Sequence, residues 1–398
     1  MKAVDSKSVK CPICRSASHS TVYRSNFRVW NKDSLLVWPA RQVVCRGCGM
    51  IFTNPQPTNK TLESFYESDL NYQIDNESSR YFRYEQLGFI RNLTSEDVRS
   101  VFDIGASNGM FLDIAKKEGY VVAGVEPSPE SVREAKERFG IRISEDFFDK
   151  DFVDSCTDRY DVVTIRHVLE HIQNPVSFLK LAKRITAPHK YIFIEVPDAS
   201  RPFACNIADF FSNQHIMHYT EGSLRNIASQ LRLPVVSIEK LEEPPIIRLL
   251  LKNDIGEKLP LTNEYHANLR VMNAYKLRRE RFIRSMGSRM GRGTRKLIIY
   301  GAGMHTTQLL QTGLLDGVEI DSIVDSDSRK HGILFEGHEV KSPRIIGHKN
   351  LPVLISSYDS QDEISNYLDV NFPHVIQVKL YDKVISYDRG RSTKNSKR

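Results

Sequence analysis

Short apolar runs alternate with amphipathic segments in the middle of the chain. The runs VFDIG, VVAGVEP, DVVTIR and YIFIEVP are rich in β-branched residues and predict buried strands. The intervening GMFLDIAKKEG, PESVREAKERFG and NPVSFLKLAKRI predict helices, because their apolar residues recur at helical spacing. This alternation predicts an α/β fold with a parallel sheet and helices on both faces. The runs VVSIEKL and IIRLLLK, separated by EEPP, predict an antiparallel hairpin that closes the sheet.

The same patterns divide the chain into segments around a Rossmann-like core at residues 96–253. Before the core, TNKTLESFYESD and SSRYFRYEQLGFIRNL predict a helical lid or connector over residues 58–95. After it, a basic stretch from Leu261 to Gly293 lacks proline and predicts one long helix within a linker over residues 254–294. KLIIYGAGMHTTQLLQTGLL then begins a second, smaller Rossmann-like domain over residues 295–388.

The N-terminal segment, residues 1–57, holds four of the six cysteines in two pairs, CPIC and CRGCG: Cys11, Cys14, Cys45 and Cys48. Four thiolates at about 2.3 Å from one ion form a closed tetrahedral zinc site, which can stabilise a short segment by on the order of 10 kcal/mol. Disulfides are the alternative, and the absence of a secretion signal disfavours them. We therefore predict a structural zinc module, with Cys156 and Cys205 as ordinary thiols.

Composition and charge limit the choice of function. A length of 398 residues favours two or three domains, and 40% apolar residues indicate a globular chain. The net charge of +7 is modest and lies partly in the basic tail at residues 389–398, so a nucleic-acid partner is not expected. MKAVDSKSVK lacks the apolar core of a signal peptide, and no run of about 18 apolar residues occurs. We expect a cytoplasmic protein without a membrane span; the oligomeric state is not predicted.

A glycine turn, DIGASNG, follows the first core strand. Gly105 and Gly109 are not spaced as in the Gly-x-Gly-x-x-Gly turn that faces a helix toward a pyrophosphate. The Asp103 carboxylate would repel a pyrophosphate and attract an ammonium group. Glu126 ends the next strand, where an acid can hold ribose hydroxyls. A ligand with a ribose, a cationic amino-acid part and no phosphate satisfies these observations, which indicates S-adenosylmethionine.

DIGASNG, GVEPS and DVVTIRHVLEHI together resemble the class I S-adenosylmethionine-dependent methyltransferases, from about Val101 to Lys252. The resemblance implies the following cofactor contacts: Asp103, Gly105, Ala106, Ser107, Asn108 and Gly109 at the methionine part, Glu126 and Pro127 at the ribose, Asp146 and Phe147 at the adenine, and Arg166 and His167 on the cofactor floor. The alternatives are that Asp103 caps a turn and that Phe147 belongs to the core.

The order of zinc module, methyltransferase core and second Rossmann-like domain is similar to that of sugar C-methyltransferases, which act on nucleotide-linked keto-deoxysugars. CRGCGMIFTNPQP and SFYESDLNY resemble that family's entry segment. The resemblance implies a nucleotide-sugar or glycan substrate. This chain departs from the family where a Glu-His pair is expected, because it has Gln214 and His215. Glutamine cannot take a proton, so His215 becomes the expected base, and methylation of carbon and of oxygen both remain open.

Methyl transfer requires an aligned nucleophile and a base, and histidine suits this role near neutral pH. His215 and His218 follow the fifth strand in FFSNQHIMHYTEGSL, and His171 lies in HVLEHI on the same rim. His218 and His171 are catalytic candidates whose alternative is packing, in the case of His171 over the cofactor. Tyr72, in FYESDLNY, is expected to close over the site as part of a lid. Tyr66 is a second lid candidate, and both tyrosines could instead be core aromatics.

The second glycine turn, YGAGMHT, has Gly301 and Gly303 but Thr306 in place of a third glycine, and Asp325 ends the next strand. The family resemblance implies that this domain helps to carry the nucleotide-sugar. The alternative is a domain that only packs.

Two other functions compete with sugar methylation. One is methylation of RNA or another small molecule, because zinc modules precede some base methyltransferases and the chain is basic. However, the sequence lacks an NPPY-type motif and a basic, aromatic cluster near the cofactor rim. The other is a non-catalytic scaffold that binds the cofactor but has lost its base, consistent with Gln214. Methylation of a sugar is the leading prediction.

Overall fold

The computed structural model describes residues 2–31, 34–58, 61, 77–94, 97–203, 207, 210–211, 215–290 and 294–382. Tyr66, Tyr72, Cys205 and Gln214 lie outside these ranges, as does most of the predicted lid helix TNKTLESFYESD. No helix in the described ranges is long and apolar enough to cross a membrane.

The N-terminal segment forms two small sheets, and the larger one is completed by a strand from the core. The strands of the segment are β1 (Lys2–Ala3), β2 (Ser6–Lys7), β3 (His19–Asn31), β4 (Ser34–Cys45), β5 (Ile51–Thr53) and β6 (Gln56–Pro57). In the larger sheet β3, β4 and β5 pair antiparallel and β1 pairs with β4 in parallel, whereas β2 and β6 form a separate antiparallel pair. The β-branched runs STVYR and RQVVC form parts of β3 and β4, which pair along their length. The free side of β5 pairs with Met217–His218, which lies far along the chain.

A seven-stranded sheet forms the centre of the molecule. Its strands are β7 (Ser100–Ile104), β8 (Val121–Glu126), β9 (Ser144–Glu145), β10 (Tyr160–Arg166), β11 (Thr186–Pro197), β13 (Val235–Leu241) and β14 (Ile246–Lys252). The number β12 is given to Met217–His218, the strand that pairs with β5 in the N-terminal sheet. The order across the sheet is β13-β14-β11-β10-β7-β8-β9, and β14 alone runs antiparallel to its neighbours. The predicted strands and hairpin are confirmed. The apolar β14 lies inside the sheet, whereas β13, with its alternating polar residues, forms the edge.

Within the described residues, six helices flank this sheet: α1 (Glu77–Leu93), α2 (Met110–Lys117), α3 (Pro129–Phe139), α4 (Lys150–Ser155), α5 (Pro175–Ile185) and α6 (Glu221–Leu231). Polar caps set several starts, since the Ser128 and Asn174 side chains accept the backbone N–H groups of Ser131 and Ser177. Neighbouring strand residues alternate between two apolar clusters. Val101 packs on the α1 and α2 side, and Phe102 packs with α5 and α6 on the other.

The long basic helix is shorter than predicted. Helix α7 spans Tyr265–Gly287 and continues as a 3-10 turn at Ser288–Met290. The four residues before it are held in an extended connection instead, because Thr262 exchanges hydrogen bonds with the Asn226 side chain. The Glu264 backbone N–H donates to the Cys48 carbonyl at 3.3 Å, which sets the helix start against the second cysteine pair.

The C-terminal segment folds as a second sheet domain. It consists of β15 (Lys296–Tyr300), α8 (Met304–Gln311), β16 (Glu319–Val324), β17 (Leu334–Phe335), β18 (His338–Lys341), β19 (Val353–Ile355), α9 (Gln361–Asn371) and β20 (Gln377–Lys379). The strand order is β17-β18-β16-β15-β19-β20, and all strands except β17 are parallel. Ile207, which follows β11 of the central sheet, packs into this domain and donates its N–H to the Tyr381 hydroxyl at 3.1 Å.

Two glycines of the central sheet and its flanking helices should respond oppositely to substitution by alanine. Gly88 lies inside α1, and a Cβ added to it would meet no atom within 4 Å, so Gly88→Ala should raise stability by about 0.5–1 kcal/mol through helix propensity. A Cβ on Gly124 would lie 2.9 Å from the Asp103 carbonyl oxygen, so Gly124→Ala should lower stability by about 1–3 kcal/mol. Urea unfolding of both variants measures this difference. Equal shifts of the two midpoints would contradict the packing of β8 against β7.

Candidate functional site

The glycine turn between β7 and α2 adopts a backbone that needs glycine at both ends. Gly105 and Gly109 have φ angles of 72° and 77°, in the left-handed region. A Cβ on Gly105 would also lie 2.4 Å from Val168 Cγ2. Within the turn Ala106 and Asn108 are buried, whereas Ser107, also at positive φ, is half-buried. The turn therefore presents mainly backbone at the carboxyl end of the sheet.

Glu126 fixes this turn from the neighbouring strand. Its carboxylate accepts the backbone N–H groups of Ser107 at 2.9 Å and Ser128 at 3.0 Å. Burial raises the pKa of Glu126, and these two N–H groups oppose that rise. Pro127, next in the chain, is half-buried. A carboxylate has about four acceptor positions, so Glu126 can hold the turn and still accept hydroxyl groups of a ligand.

Asp103 is placed differently from the expectation. Its side chain is fully buried, Thr164 donates to Oδ1 at 2.6 Å, and the Arg166 guanidinium donates to both oxygens. The negative charge is thus neutralised within the protein, and the reasoning that it attracts an ammonium group directly is wrong. Asp103 instead holds Arg166, whose guanidinium lies over the Phe111 ring at 4.1 Å from the ring centre.

The Asp103–Arg166 pair begins a buried row of polar and charged side chains that crosses the sheet. Arg166 Nη1 donates to Gln86 Oε1 at 3.2 Å, Gln86 donates to Glu195, and Arg248 Nε donates to Glu195 Oε2 at 2.8 Å. Gln86, Glu195 and Arg248 were not identified from the sequence. For Glu195 and Arg248 the sequence does carry a signal of a buried polar role, because each is a charged residue inside an apolar strand, in YIFIEVP and IIRLLLK.

His167 connects this row of side chains to Glu170, an acid three residues further along the chain. It has a φ of 54°, and its Nε2 and Nδ1 atoms lie 3.2 Å from Glu195 Oε1 and 3.4 Å from Glu170 Oε1. Burial lowers the pKa of His167, but the two carboxylates outweigh it and raise the pKa to about 9. Burial likewise raises the pKa of Glu170 and Glu195, and their contacts with His167, together with Arg248 in the case of Glu195, lower each to about 2.

His171 and His215, the two rim histidines expected from the sequence to be acceptor-side residues, lie next to each other. Their ring centres are 4.9 Å apart with nearly perpendicular planes. A backbone hydrogen bond from Ile216 to the Glu170 carbonyl, 3.0 Å long, joins the two segments that carry them. Burial, followed by the charge of His171, lowers the pKa of His215 to about 4. His215 is therefore neutral at pH 7 and has a nitrogen lone pair to accept a proton.

His218 does not belong to this pair. It lies in β12, its side chain is buried, and its Nε2 lies 3.2 Å from Gln42 Oε1. Its ring packs edge-on against Phe211, with the ring centres 4.7 Å apart. Burial lowers the pKa of His218 well below its usual value. The geometry favours the packing alternative for His218.

The predicted adenine residues follow β9 at the sheet edge next to Glu126. The Asp146 N–H donates to the Glu126 carbonyl at 3.3 Å, and its side chain is exposed. Phe147 is half-buried, and its neighbour Phe148 packs into the core against Phe102 and Phe178. A core position had been the alternative interpretation of Phe147, and Phe148 occupies that position instead.

The four cysteines of the N-terminal module converge on one point. Cys11 and Cys48 Sγ lie 3.6 Å apart, Cys14 and Cys45 Sγ lie 3.4 Å apart, and all four sulfurs are within 4.8 Å of one another. Disulfide sulfurs would be about 2.0 Å apart, whereas a tetrahedron with metal–sulfur bonds of about 2.3 Å has edges of about 3.8 Å. The arrangement fits a single thiophilic metal ion.

The elevated pKa of His167 should make stability depend on pH. Its folded pKa of about 9 lies above the unfolded value of 6.5, so the protonated ring stabilises the fold fully below pH 6.5, and this contribution is lost as pH rises through 9. The ring is 37% exposed, so solvent screening limits the effect to about 1–2 kcal/mol. His167→Gln should flatten the decline in unfolding free energy between pH 6 and 9.5.

The matched control is His189→Gln, an exposed histidine paired with Asp254, which should keep the wild-type decline. An unchanged decline in His167→Gln would show that the ring does not bridge the two buried carboxylates.

Comparison with known proteins agrees with this geometry. Residues 78–238 match the family model of a methyltransferase domain. No curated protein matches the chain. Similar solved structures include a SAM dependent methyltransferase from Archaeoglobus fulgidus, at 20% identity and a TM-score of 0.37, covering 44% of this chain and 94% of that one. Another, from Mesorhizobium loti, has 14% identity and a TM-score of 0.35, covering 42% and 97%.

The plantazolicin methyltransferase BpumL in complex with SAH has 14% identity and a TM-score of 0.39, covering 48% of this chain and 94% of that one. These likenesses are too distant to carry an argument about substrate. The matched residues 78–238 contain the glycine turn, Glu126 and the buried row up to Glu195. Residues 78–238 therefore resemble a methyltransferase domain, and this match supports an enzyme of the methyltransferase class.

Proposed function

We propose that this enzyme transfers a methyl group from S-adenosylmethionine to a sugar, most simply a nucleotide-linked one, with His215 as the general base. The observation that carries the proposal is the His171–His215 pair. It lies at the carboxyl end of the sheet, the same end as the glycine turn, where parallel α/β sheets bind their ligands. Cofactor and acceptor sites would then share one cleft.

On the cofactor side, the turn from Gly105 to Gly109 would hold the methionine part through its backbone. Glu126, already fixed by two N–H groups, would accept the ribose hydroxyls with its remaining lone pairs. Asp146 and Phe147, at the neighbouring edge of the sheet, would border the adenine. Asp103 would act indirectly, by holding the Arg166 guanidinium.

On the acceptor side, the reaction needs one proton removed as the methyl group moves. The acceptor hydroxyl, or an acidic C–H beside a keto group, gives its proton to the neutral His215 ring. The acceptor atom forms a bond to the methyl carbon, and the carbon–sulfur bond breaks with its electron pair left on sulfur. The products are the methylated sugar, S-adenosylhomocysteine and an imidazolium that loses its proton to water. Alignment of the acceptor and a positioned base can each lower the barrier by several kcal/mol.

A sugar acceptor with a nucleotide is supported by the C-terminal domain. Gly301 in its glycine turn has a φ of 116°, and a Cβ on Gly303 would meet no atom within 4 Å, so backbone is open there. Lys330 Nζ lies at this turn, 3.0 Å from both the Ala302 carbonyl and Asp325 Oδ2. Asp325 neutralises this cation and accepts the Ala302 N–H at 2.8 Å, so the support for a nucleotide is the open glycine turn followed by an acid at the end of the next strand, where an acid can hold ribose hydroxyls. This domain would hold the nucleotide while the core methylates the sugar.

We further propose that the cysteine cluster binds structural zinc. Zinc would be held by Cys11, Cys14, Cys45 and Cys48, and four sulfur ligands leave no position open for catalysis. Around the cluster, the Gln230 side chain donates to the Ile13 carbonyl at 3.1 Å, and Asn268 donates to the Gly49 carbonyl at 2.9 Å. The metal would thus support the packing of the N-terminal module against α6 and α7.

Replacement of His215 tests the proposed function. Incubated with S-adenosylmethionine and a nucleotide-sugar pool, the enzyme should add about 14 Da to a sugar product, the mass of one methylene. His215→Ala should reduce turnover about 10²- to 10⁴-fold, the contribution of a general base. Its affinity for S-adenosylhomocysteine should stay unchanged, because His215 lies on the acceptor side. Mass spectrometry and calorimetry measure the two quantities.

His189→Ala, the removal of an exposed histidine at the opposite end of β11, is the control and should keep full turnover. A wild-type protein that binds the cofactor product but methylates no sugar in the pool would refute the sugar assignment. Full turnover in His215→Ala would refute the assignment of the base alone.

Removal of a cluster sulfur tests the zinc proposal. The purified protein should contain about one zinc per chain, and Cys45→Ser should reduce the metal content to near zero and lower the midpoint of thermal unfolding. Cys156→Ser, a thiol outside the cluster, should retain both values. Elemental analysis and calorimetry supply the measurements. A wild-type protein free of bound metal and equally stable with a chelator would refute the proposal.

A further inference from the structure

Glu170 is a buried acid that the mechanism above does not use. It is the middle residue of the 3-10 turn Leu169–His171, which follows β10. Two hydrogen bonds hold this turn: Ile216 N–H donates to the Glu170 carbonyl at 3.0 Å, and the Tyr219 hydroxyl donates to the Leu169 carbonyl at 3.0 Å. Because Ile216 follows His215 directly, the turn places the Glu170 side chain next to His215.

The Glu170 carboxylate is enclosed, and no described residue donates a hydrogen bond of ordinary length to it. The residue is 1% exposed, and neither carboxylate oxygen accepts a hydrogen bond from the described residues. A buried carboxylate without donors is costly unless positive groups or a ligand compensate it. Its nearest charged partner is His167, at 3.4 Å, beyond a normal hydrogen-bond length. The carboxylate therefore retains acceptor capacity.

The groups that can use this capacity are the two histidines at the rim. One carboxylate oxygen of Glu170 and one ring nitrogen each of His171 and His215 all lie within 4.8 Å of one another. Both rings are half-buried, whereas Glu170 lies beneath them. A small adjustment of either ring would bring an imidazole N–H into hydrogen-bond range of the carboxylate. That bond would leave the second ring nitrogen without its proton and facing the cleft.

We propose that Glu170 is a positioning residue for the histidine base: its carboxylate orients the His171–His215 pair and stabilises the imidazolium formed when His215 takes the acceptor proton. A carboxylate is thus present beside His215 although residue 214 is a glutamine. The negative charge of Glu170 opposes the burial that lowers the pKa of His215, so it strengthens this base. The proposal rests on the proposed role of His215 in methyl transfer.

Three variants of the full-length, metal-loaded enzyme test this inference. Glu170→Gln removes the charge, Glu170→Asp keeps it on a shorter side chain, and Asp198→Asn removes another buried carboxylate, one paired with Lys240 at 3.2 Å. Glu170→Gln should lower kcat about 10- to 100-fold, part of what a general base contributes, with the affinity for S-adenosylhomocysteine within about twofold. Glu170→Asp should retain more turnover, and Asp198→Asn should retain full turnover.

Nitrogen-15 NMR supplies a readout that needs no acceptor. In the complex with S-adenosylhomocysteine at pH 7, His215 should populate one neutral tautomer, and Glu170→Gln should redistribute its two ring-nitrogen signals while Asp198→Asn leaves them unchanged. Should Glu170→Gln not fold, the comparison is made with Glu170→Asp. If Glu170→Gln changes the His215 tautomer but the wild-type protein methylates no sugar, the interaction between Glu170 and His215 is supported and the sugar assignment is refuted.

Two results would overturn the inference. One is an unchanged His215 tautomer together with unchanged kcat in the folded Glu170→Gln variant. The other is binding of one equivalent of added Mn²⁺ or Zn²⁺ beyond the cysteine-bound metal, lost in Glu170→Gln. That result would make Glu170, His171 and His215 ligands of a cation, a donor set of two imidazoles and one carboxylate that such ions accept.

Discussion

The buried row of charges across the carboxyl ends of the central strands is the constraint on which the methyltransferase domain depends. Charged groups persist in an apolar interior only when each is compensated, and here each carboxylate meets a guanidinium: Asp103 pairs with Arg166, and Glu195 with Arg248. Gln86 joins the two pairs and attaches helix α1 to the sheet. Loss of Asp103 or Arg166 would leave the charge of its partner buried without an ion pair, so the row fixes the relative positions of the strands that carry the site.

This row also links the two sides of the site. Glu195 contacts His167, His167 contacts Glu170, and Glu170 lies beneath His171 and His215. A path of polar and charged side chains therefore runs from the strand below the glycine turn to His171 and His215. The proposed base, His215, lies at the end of this path, where burial and the charges of neighbouring side chains shift its pKa.

The sequence predicted the features that depend on local pattern and failed where partners come from distant segments. The core strands follow from apolar, β-branched runs, and the cysteine convergence follows from paired spacing. The partner of Asp103 could not be predicted, because the Arg166 side chain reaches it across two paired strands. Glu195 and Arg248 were visible as single charges in apolar runs. Their pairing depends on β14 being inserted beside β11, which the hairpin pattern alone does not specify.

The pairing of β5 with β12 has a consequence for how the molecule matures. As the chain leaves the ribosome, the cysteine module emerges first, but the strand that completes its sheet is synthesised only after most of the methyltransferase core. Until then the outer edge of β5 offers unsatisfied backbone groups to any passing strand. The sheet of the module is therefore complete only after the segment that carries His215 has been synthesised, and removal of either segment would expose a backbone edge of the other.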